Sequence, residues 1–222
     1  LHTRTAHFLD VVWSAGEAIP ASLIQKIATQ EPILNSYGPT ETTVSITATR
    51  CSVDMPFPQS IGSPFSNSRA YIVDPSSPTS LQPLHVAGEL VFSGPQVGRG
   101  YLNLPERTAE SFITNPFADA EPGSGHERLY RTGDLCRWLP DGTIGYLGRI
   151  DQQVKLRGNR IELGEIESVL LAHVSVTACA VCLVGGASGH LAAFVQLAAR
   201  EGAGEEDGLE STSTSTSTST ST

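Results

Sequence analysis

The segment Asn35-Ser36-Tyr37-Gly38-Pro39-Thr40-Glu41 places an aromatic face, a Gly-Pro turn, a hydroxyl and a carboxylate side by side. These groups suffice to hold a base, turn the backbone sharply, contact a phosphate and ligate a hard cation, which prefers carboxylate oxygens. Each residue taken singly also has a plainer role. A tyrosine in a turn is a partly buried amphipath, and an asparagine before a turn bonds its own backbone. Thr40 and Glu41 read equally as a turn hydroxyl and a solvated acid. Further along, Asp134 closes Tyr130-Arg131-Thr132-Gly133-Asp134. Its carboxylate has the lone pairs to accept two hydroxyl donors, or it is an acid at a strand end. Tyr146, Arg149, Asp151 and Lys155 follow within a short stretch.

These groups need elements to position them. Val11-Val12-Trp13 reads as a strand closed by Gly16, and residues 21–28 read as a helix after Pro20, with Leu23, Ile24, Ile27 and Ala28 on one face. The Asn35 segment then reads as a loop, and Val44 to Ala48 as a strand with β-branched alternation. Between Cys51 and Pro83 the chain is rich in Pro and Ser, with one strand at Ala70 to Val73. Gly88 to Ser93 is a further strand, and Pro105 to Phe112 a short helix with proline near its start. Asn115 to Gly125 is a polar loop. Leu135–Leu139 and Thr143–Leu147 flank Pro140-Asp141-Gly142, a hairpin signal.

After Arg149 the texture changes. Gln153 to Leu156 reads as a strand and Glu162 to His173 as a helix with Ile166, Val169 and Leu170 inward. Two strands follow, Val176–Val184 and His190–Leu197, joined at Gly185-Gly186. That is a compact β-α-β-β unit. The expected organisation is a larger portion over residues 1–150, a small α+β subdomain over 151–198, and a tail over 199–222. The tail is acidic and then strictly alternates Ser and Thr, so it has nothing apolar to bury and is expected to be disordered.

The 222 residues could bury a sizeable core. A formal net charge of -9 argues against a general binder of nucleic acid or membrane surfaces. No apolar run approaches membrane-spanning length. With neither a start methionine nor a basic-then-apolar leader, Leu1 reads as a cut inside a longer protein. Among the four cysteines, Cys179 and Cys182 have the gap of a metal knuckle or redox pair. A zinc site needs further ligands at similar spacing, and none is present. Their surroundings, Val176 to Val184, point instead to small hydrophobes in a buried strand. Reduced thiols fit a cytoplasmic location.

Five blocks stand in a fixed order: Asn35 to Glu41; Gly88-Glu89-Leu90 through Gly98-Arg99-Gly100-Tyr101-Leu102; Tyr130 to Leu135; Gly148-Arg149-Ile150-Asp151; and Gln153-Val154-Lys155-Leu156-Arg157-Gly158 through Arg160 to Glu167. Together they are similar to the adenylation domains of nonribosomal peptide synthetases, in the superfamily of adenylate-forming, AMP-binding enzymes. The resemblance spans about residues 10 to 198. It implies an α/β fold: the C-terminal part of the large core, a sheet plus a small β-barrel-like portion, followed by the small α+β subdomain. It implies a two-step reaction, in which an amino acid and ATP give an aminoacyl-AMP, and a carrier-protein phosphopantetheine thiol then takes the aminoacyl group. Mg²⁺ assists the first step. The partners implied are the amino acid substrate and the peptidyl carrier and condensation domains, with no nucleic acid and no membrane.

By the same resemblance Tyr37 stacks on adenine, Asn35 meets its edge, and Gly16, Glu17 and Ala18 pass beside it. Gly38 shapes the turn, Thr40 lies near the phosphates and Glu41 ligates Mg²⁺. Asp134 takes the ribose hydroxyls, Tyr146 encloses the nucleoside, and Arg149 contacts ribose or phosphate. Asp151 is the hinge of the small subdomain, and Lys155 approaches the site in one orientation. Trp13, Ala15, Ser36, Val44 and Ser45 fall at substrate-pocket positions. The family's phosphate loop, its amine-pairing aspartate and its C-terminal lysine have no counterpart in these residues, so the chain by itself is expected to be inactive. An acyl-CoA or aryl-acid ligase fragment and a non-catalytic remnant are the alternatives.

Overall fold

The computed structural model describes residues 11–17, 19–28, 32–118, 123–151, 153–156, 159–185 and 189–198. Ala18, Arg157, Gly158, Gly186 and the 199–222 tail lie outside them. The chain divides into two compact units, one ending at Asp151 and one following it.

In the first unit, β1 (Val12–Ala15) leads through α1 (Ala21–Ile27) to β2 (Ile33–Tyr37), which lies parallel to β1. Pro20 stands in extended conformation at the start of α1, where its missing N–H costs nothing. Ile24 is the buried residue of that helix and packs with Ile33 and Cys51. A 3-10 turn over Thr40–Thr42 separates β2 from β3 (Thr47–Cys51). Then come β4 (Ser60–Pro64), β5 (Arg69–Asp74), β6 (Ser77–Leu81) and β7 (Gly88–Ser93). Helix α2 (Pro105–Ser111) has Pro105 in its first turn and leads into β8 (Phe112–Thr114). The long β9 (Arg128–Trp138) and β10 (Ile144–Arg149) complete the unit.

These strands form one mixed sheet in the order β1-β2-β3-β4-β10-β9-β7-β5-β6, with β8 also paired to β9. Within it β7 is buried along its whole length between β5 and β9. Ile46, Ile61, Ile72, Leu90, Phe92, Cys136 and Ile144 gather with Tyr37 into the main core. Each large apolar side chain fully buried there contributes about 1.5–3 kcal/mol.

The second unit holds a short pair, β11 (Val154–Leu156) with β12 (Asn159–Ile161), then α3 (Leu163–Leu171) and the hairpin of β13 (Val176–Val184) and β14 (His190–Leu197). Glu162 starts α3 and Glu165 sits in its first turn, where negative charge suits the helix dipole. Glu167 docks the helix on the hairpin by accepting the Val181 N–H at 2.8 Å.

Five expectations change, the first being Val169, expected inward on its helix but 74% exposed. Asn35, Ser36 and Tyr37 are strand residues, not loop residues. The strand expected from Val44 begins only at Thr47, because Thr43 and Val44 both stand in the left-handed region with φ of 59° and 71°. The Pro/Ser-rich stretch carries β4 and β6 besides β5, and β12 adds a strand before α3. Finally, Cys182 is exposed and Cys179 half-buried. Odd spacing on a strand puts them on opposite faces, so one helix cannot cover both. Cys51 and Cys136 are buried, and all four cysteines are free thiols.

Candidate functional site

The β9–β10 hairpin brings the two charged blocks together. Gly142 takes φ 79° at its tip, and Asp141 Oδ1 accepts both the N–H and the hydroxyl of Thr143, at 3.0 and 2.8 Å. This tight end sets the register in which Arg149 stands opposite Asp134, with an irregularity between Tyr146 and Gly148. Across that register Arg149 donates through Nη1 to Asp134 Oδ1 at 3.1 Å and to the Thr132 carbonyl at 2.7 Å. Its Nε and Nη2 reach the two oxygens of Asp151 at 2.9 and 2.5 Å.

From the far side of the sheet order, β2 contributes Tyr37, whose hydroxyl donates to Asp134 Oδ2. Asp134 is 3% exposed and Tyr37 8%. The Tyr37 ring lies against Phe92 and Tyr146, with centroids 6.2 and 6.5 Å apart. Thr132 completes the group: its hydroxyl donates to the Leu90 carbonyl at 2.7 Å and accepts the Asp134 N–H at 3.0 Å. Tyr37, Asp134, Tyr146 and Arg149, four of the expected residues, thus form one cluster.

Burial sets the electrostatics of this cluster. It pushes the Tyr37 phenol well above its usual 10.0, and the neighbouring Asp134 charge adds to the shift. The same two causes raise Tyr146 to about 12. Around Arg149, burial works against the charge, but Asp151 and Asp134 outweigh it and hold the guanidinium firmly protonated. Both phenols are therefore neutral in the fold at pH values where they ionise in the unfolded chain. Their contribution to stability is complete below about pH 10 and is lost as pH rises toward the folded values. Tyr37→Phe is expected to flatten this alkaline decline and to cost about 1.5 kcal/mol at neutral pH through the lost bond to a charged acceptor. Urea unfolding at about pH 8 and about pH 11 measures both effects. An alkaline slope equal to that of the wild type would show that Tyr37 is not its source.

Glu41 lies in the 3-10 turn that follows Pro39. Its Oε1 accepts the Tyr101 hydroxyl at 2.6 Å, and its backbone carbonyl accepts the Gly98 N–H at 2.7 Å. The second sequence block therefore holds the end of the first. Thr40 is exposed at the start of the turn. Among the described residues no group of three or more His, Cys, Asp or Glu side chains could hold a metal. A single carboxylate is nevertheless the donor set that Mg²⁺ takes where phosphate oxygens and waters supply the rest. The residues present fit that ion and do not fit an all-protein cage.

The expected pocket residues fall on β1, β2 and the segment before β3. Trp13 Nε1 donates to Ser36 Oγ at 2.5 Å, and Ser45 Oγ donates to the same atom at 3.2 Å. Gln96 fastens the segment, giving its Nε2–H to the Ser45 carbonyl at 3.0 Å while its backbone carbonyl accepts the Thr43 hydroxyl at 2.9 Å. Trp13 is 60% exposed and Val44 77%, so neither is core in this unit. Ala15 ends β1 opposite Ser36. Asn35 donates to the Ser60 carbonyl at 3.2 Å. Gly16 and Glu17 follow β1, and Lys155 lies on β11 of the second unit opposite Arg160.

Thr132, Glu89, Arg131, Tyr101 and Gln96 hold the cluster and the pocket segment, yet none stood out as a site residue by its own chemistry. Arg131 and Thr132 were legible only as members of the block that carries Asp134, and Glu89, Gln96 and Tyr101 only as members of the second block.

A family model described as AMP-binding enzyme matches residues 2–102. Tyrocidine synthase 3 from Brevibacillus parabrevis is 50% identical over 180 residues, which is 80% of this chain and 3% of that protein. By the family match residues 2–102 belong with the AMP-binding enzymes. Among solved structures, the Vibrio cholerae adenylation domain AlmE, in complex with glycyl-adenosine-5'-phosphate, is 31% identical with a TM-score of 0.70, over 84% of this chain and 36% of its own. NpsA-ThdA, an artificially fused adenylation-PCP di-domain nonribosomal peptide synthetase from Klebsiella oxytoca, is 26% identical with a TM-score of 0.66, over 85% and 35%. Both of these solved relatives contain an adenylation domain, and the chain is similar to part of each. It spans 35–36% of these solved relatives. The family match includes Tyr37 and Glu41, while Asp134 and Arg149 lie beyond it. No helix among the described residues is long and apolar enough to cross a membrane.

Proposed function

We propose that this chain is the nucleoside-binding portion of an amino-acid-adenylating domain of a nonribosomal peptide synthetase. The observation that carries this reading is the cluster of Tyr37, Asp134 and Arg149, drawn from three separate blocks in an AMP-binding enzyme. In it Asp134 accepts the ribose hydroxyls, Arg149 keeps that carboxylate charged and lies beside ribose or phosphate, and Tyr37 and Tyr146 offer ring surface to adenine. Asp134 Oδ2 already accepts the Tyr37 hydroxyl, so a ribose hydroxyl takes over or shares that lone pair, and the buried Tyr37 ring has to be uncovered on one face.

The complete domain joins an amino acid carboxylate oxygen to the α-phosphorus of ATP and releases pyrophosphate. A carrier-protein phosphopantetheine thiolate then displaces AMP from the acyl carbon. Mg²⁺, when bound at Glu41, neutralises phosphate charge in the first step. Glu41 is positioned for this by Tyr101 and Gly98, Thr40 stands beside it, and Asn35, Gly16 and Glu17 border the base. Trp13, Ala15, Ser36, Val44 and Ser45 line the amino acid pocket. Asp151 is the pivot and Lys155 the strand lysine of the small subdomain. The carrier and condensation domains are the expected partners.

Pyrophosphate exchange in the full-length domain that carries this chain tests the reading. Exchange is expected with one or a few amino acids and not with fatty or aryl acids. Exchange driven only by a fatty or aryl acid would overturn it in favour of an acyl or aryl ligase.

A further inference from the structure

We propose that Glu89 is a positioning residue that sets Asp134 and Arg149 through the Gly133 peptide, an inference that rests on the nucleoside reading above. Glu89 is 3% exposed on the fully buried strand β7. Its Oε2 accepts Nε and Nη2 of Arg131 at 3.0 and 2.6 Å, and its Oε1 accepts the Gly133 N–H at 3.2 Å. Arg131 also reaches the Pro75 carbonyl at 3.3 Å. A buried carboxylate needs such partners, because an unpaired one is costly.

The position of Gly133 makes this bond matter. It takes φ 68°, and the β7–β9 register is irregular between Glu89 and Val91. It is flanked by Thr132, whose carbonyl receives Arg149, and by Asp134, which receives Arg149 and Tyr37. A Cβ on Gly133 would meet Arg149 Nη2 at 2.8 Å and Asp151 Oδ2 at 3.2 Å, so this peptide lies directly beneath the guanidinium. The Gly133 carbonyl also accepts the Ile150 N–H at 2.9 Å. Glu89 thus fixes, from the opposite strand, the one peptide that orients both charged residues of the cluster. Glu89 itself bonds Arg131 and Gly133 and reaches neither Asp134 nor Arg149.

Glu89→Gln separates this role from plain stability. Glutamine has one acceptor oxygen where glutamate has two. The Arg131 guanidinium, as the charged donor, takes that oxygen, and Gly133 loses its acceptor. Adding Arg131→Met removes the competitor and returns the oxygen to Gly133. AMP affinity by calorimetry, with Gly133 amide exchange by NMR, is measured in the full chain. The single variant is expected to bind AMP about tenfold more weakly, with Gly133 exchange faster than at neighbouring β9 amides. The Glu89→Gln/Arg131→Met pair is expected to recover both. Single-variant values equal to wild type, or no recovery in the pair, would overturn the proposal.

If Glu89→Gln fails to fold, Glu89→Met/Arg131→Met is compared with the Gln/Met pair: it keeps the apolar packing and lacks only the acceptor. Equal exchange at Gly133 in the two pairs would count against the proposal. Asp134→Asn in parallel isolates the other reading. Unchanged AMP affinity there sinks the nucleoside assignment, and Gly133 exchange alone then decides the role of Glu89.

Discussion

Replacing Asp134 by alanine is expected to lower the stability of the first unit by about 3 kcal/mol and to abolish measurable AMP binding. The carboxylate is the one acceptor shared by the Tyr37 hydroxyl and the Arg149 guanidinium, and it is almost fully buried. Its removal leaves a buried hydroxyl without its acceptor and a half-buried cation with one carboxylate, Asp151, in place of two. An unsatisfied buried group costs its full desolvation penalty, which exceeds what the bond itself contributes. Urea unfolding gives the stability change, and calorimetry with AMP gives the binding change. Asp134→Asn keeps the volume and the strand but removes the charge and one acceptor oxygen, so AMP binding retained in that variant would exclude a ribose role for the carboxylate. A stability loss below about 1 kcal/mol in Asp134→Ala would mean that Tyr37 and Arg149 find other partners.

Gly38→Ala is expected to destabilise the same unit by about 3 kcal/mol, although an alanine there changes no charge and no hydrogen-bonding group. The added carbon would lie 2.6 Å from Ser45 Cα, 2.7 Å from the Val44 carbonyl and 2.9 Å from the Ile46 nitrogen. All three are backbone atoms, so no rotamer change relieves the contact. The segment they belong to returns immediately to β2, where Ile46 donates its N–H to the Tyr37 carbonyl at 2.9 Å. Pushing it outward breaks that bond and moves Ser45 away from Ser36, disturbing the expected amino acid pocket together with the strand that carries Tyr37. Thermal unfolding measures the loss, and Trp13 fluorescence follows the pocket end through the bond to Ser36. An unchanged melting temperature would show that the segment yields freely.

Sequence reasoning located most strands that alternate or are uniformly apolar, because burial on a pleated sheet leaves that imprint. Gly88–Ser93, Arg69–Asp74 and the β13–β14 hairpin are of this kind, and the Pro140-Asp141-Gly142 turn joined β9 to β10 as expected. It missed β2 at Asn35 and Ser36, since these are polar residues buried by the neighbouring strands rather than by their own hydrophobicity. It started β3 too early because Val44 has strand propensity, whereas close packing at Gly38 holds it in a left-handed conformation that a β-branched residue rarely adopts. The blocks made the site's membership legible through resemblance. Its wiring was not legible: nothing in the spacing of Tyr37 and Asp134 says that one hydroxyl will meet one carboxylate, or that Glu89 will accept the Gly133 N–H.

The order of the strands also bears on how the unit assembles. The β9–β10 and β5–β6 pairs are local, whereas the pairing of β4 with β10 joins Gly62 to Ile144, and the Tyr37–Asp134 bond spans 97 positions of chain. Loops of that length must close before such contacts return any stabilisation, so they form after the local hairpins. The cluster is therefore expected to form late in folding, when the β2–β4 segment closes onto the β9–β10 ribbon. Changes at Tyr37 or Asp134 should accordingly act on how fast the unit comes apart and leave its rate of formation nearly untouched.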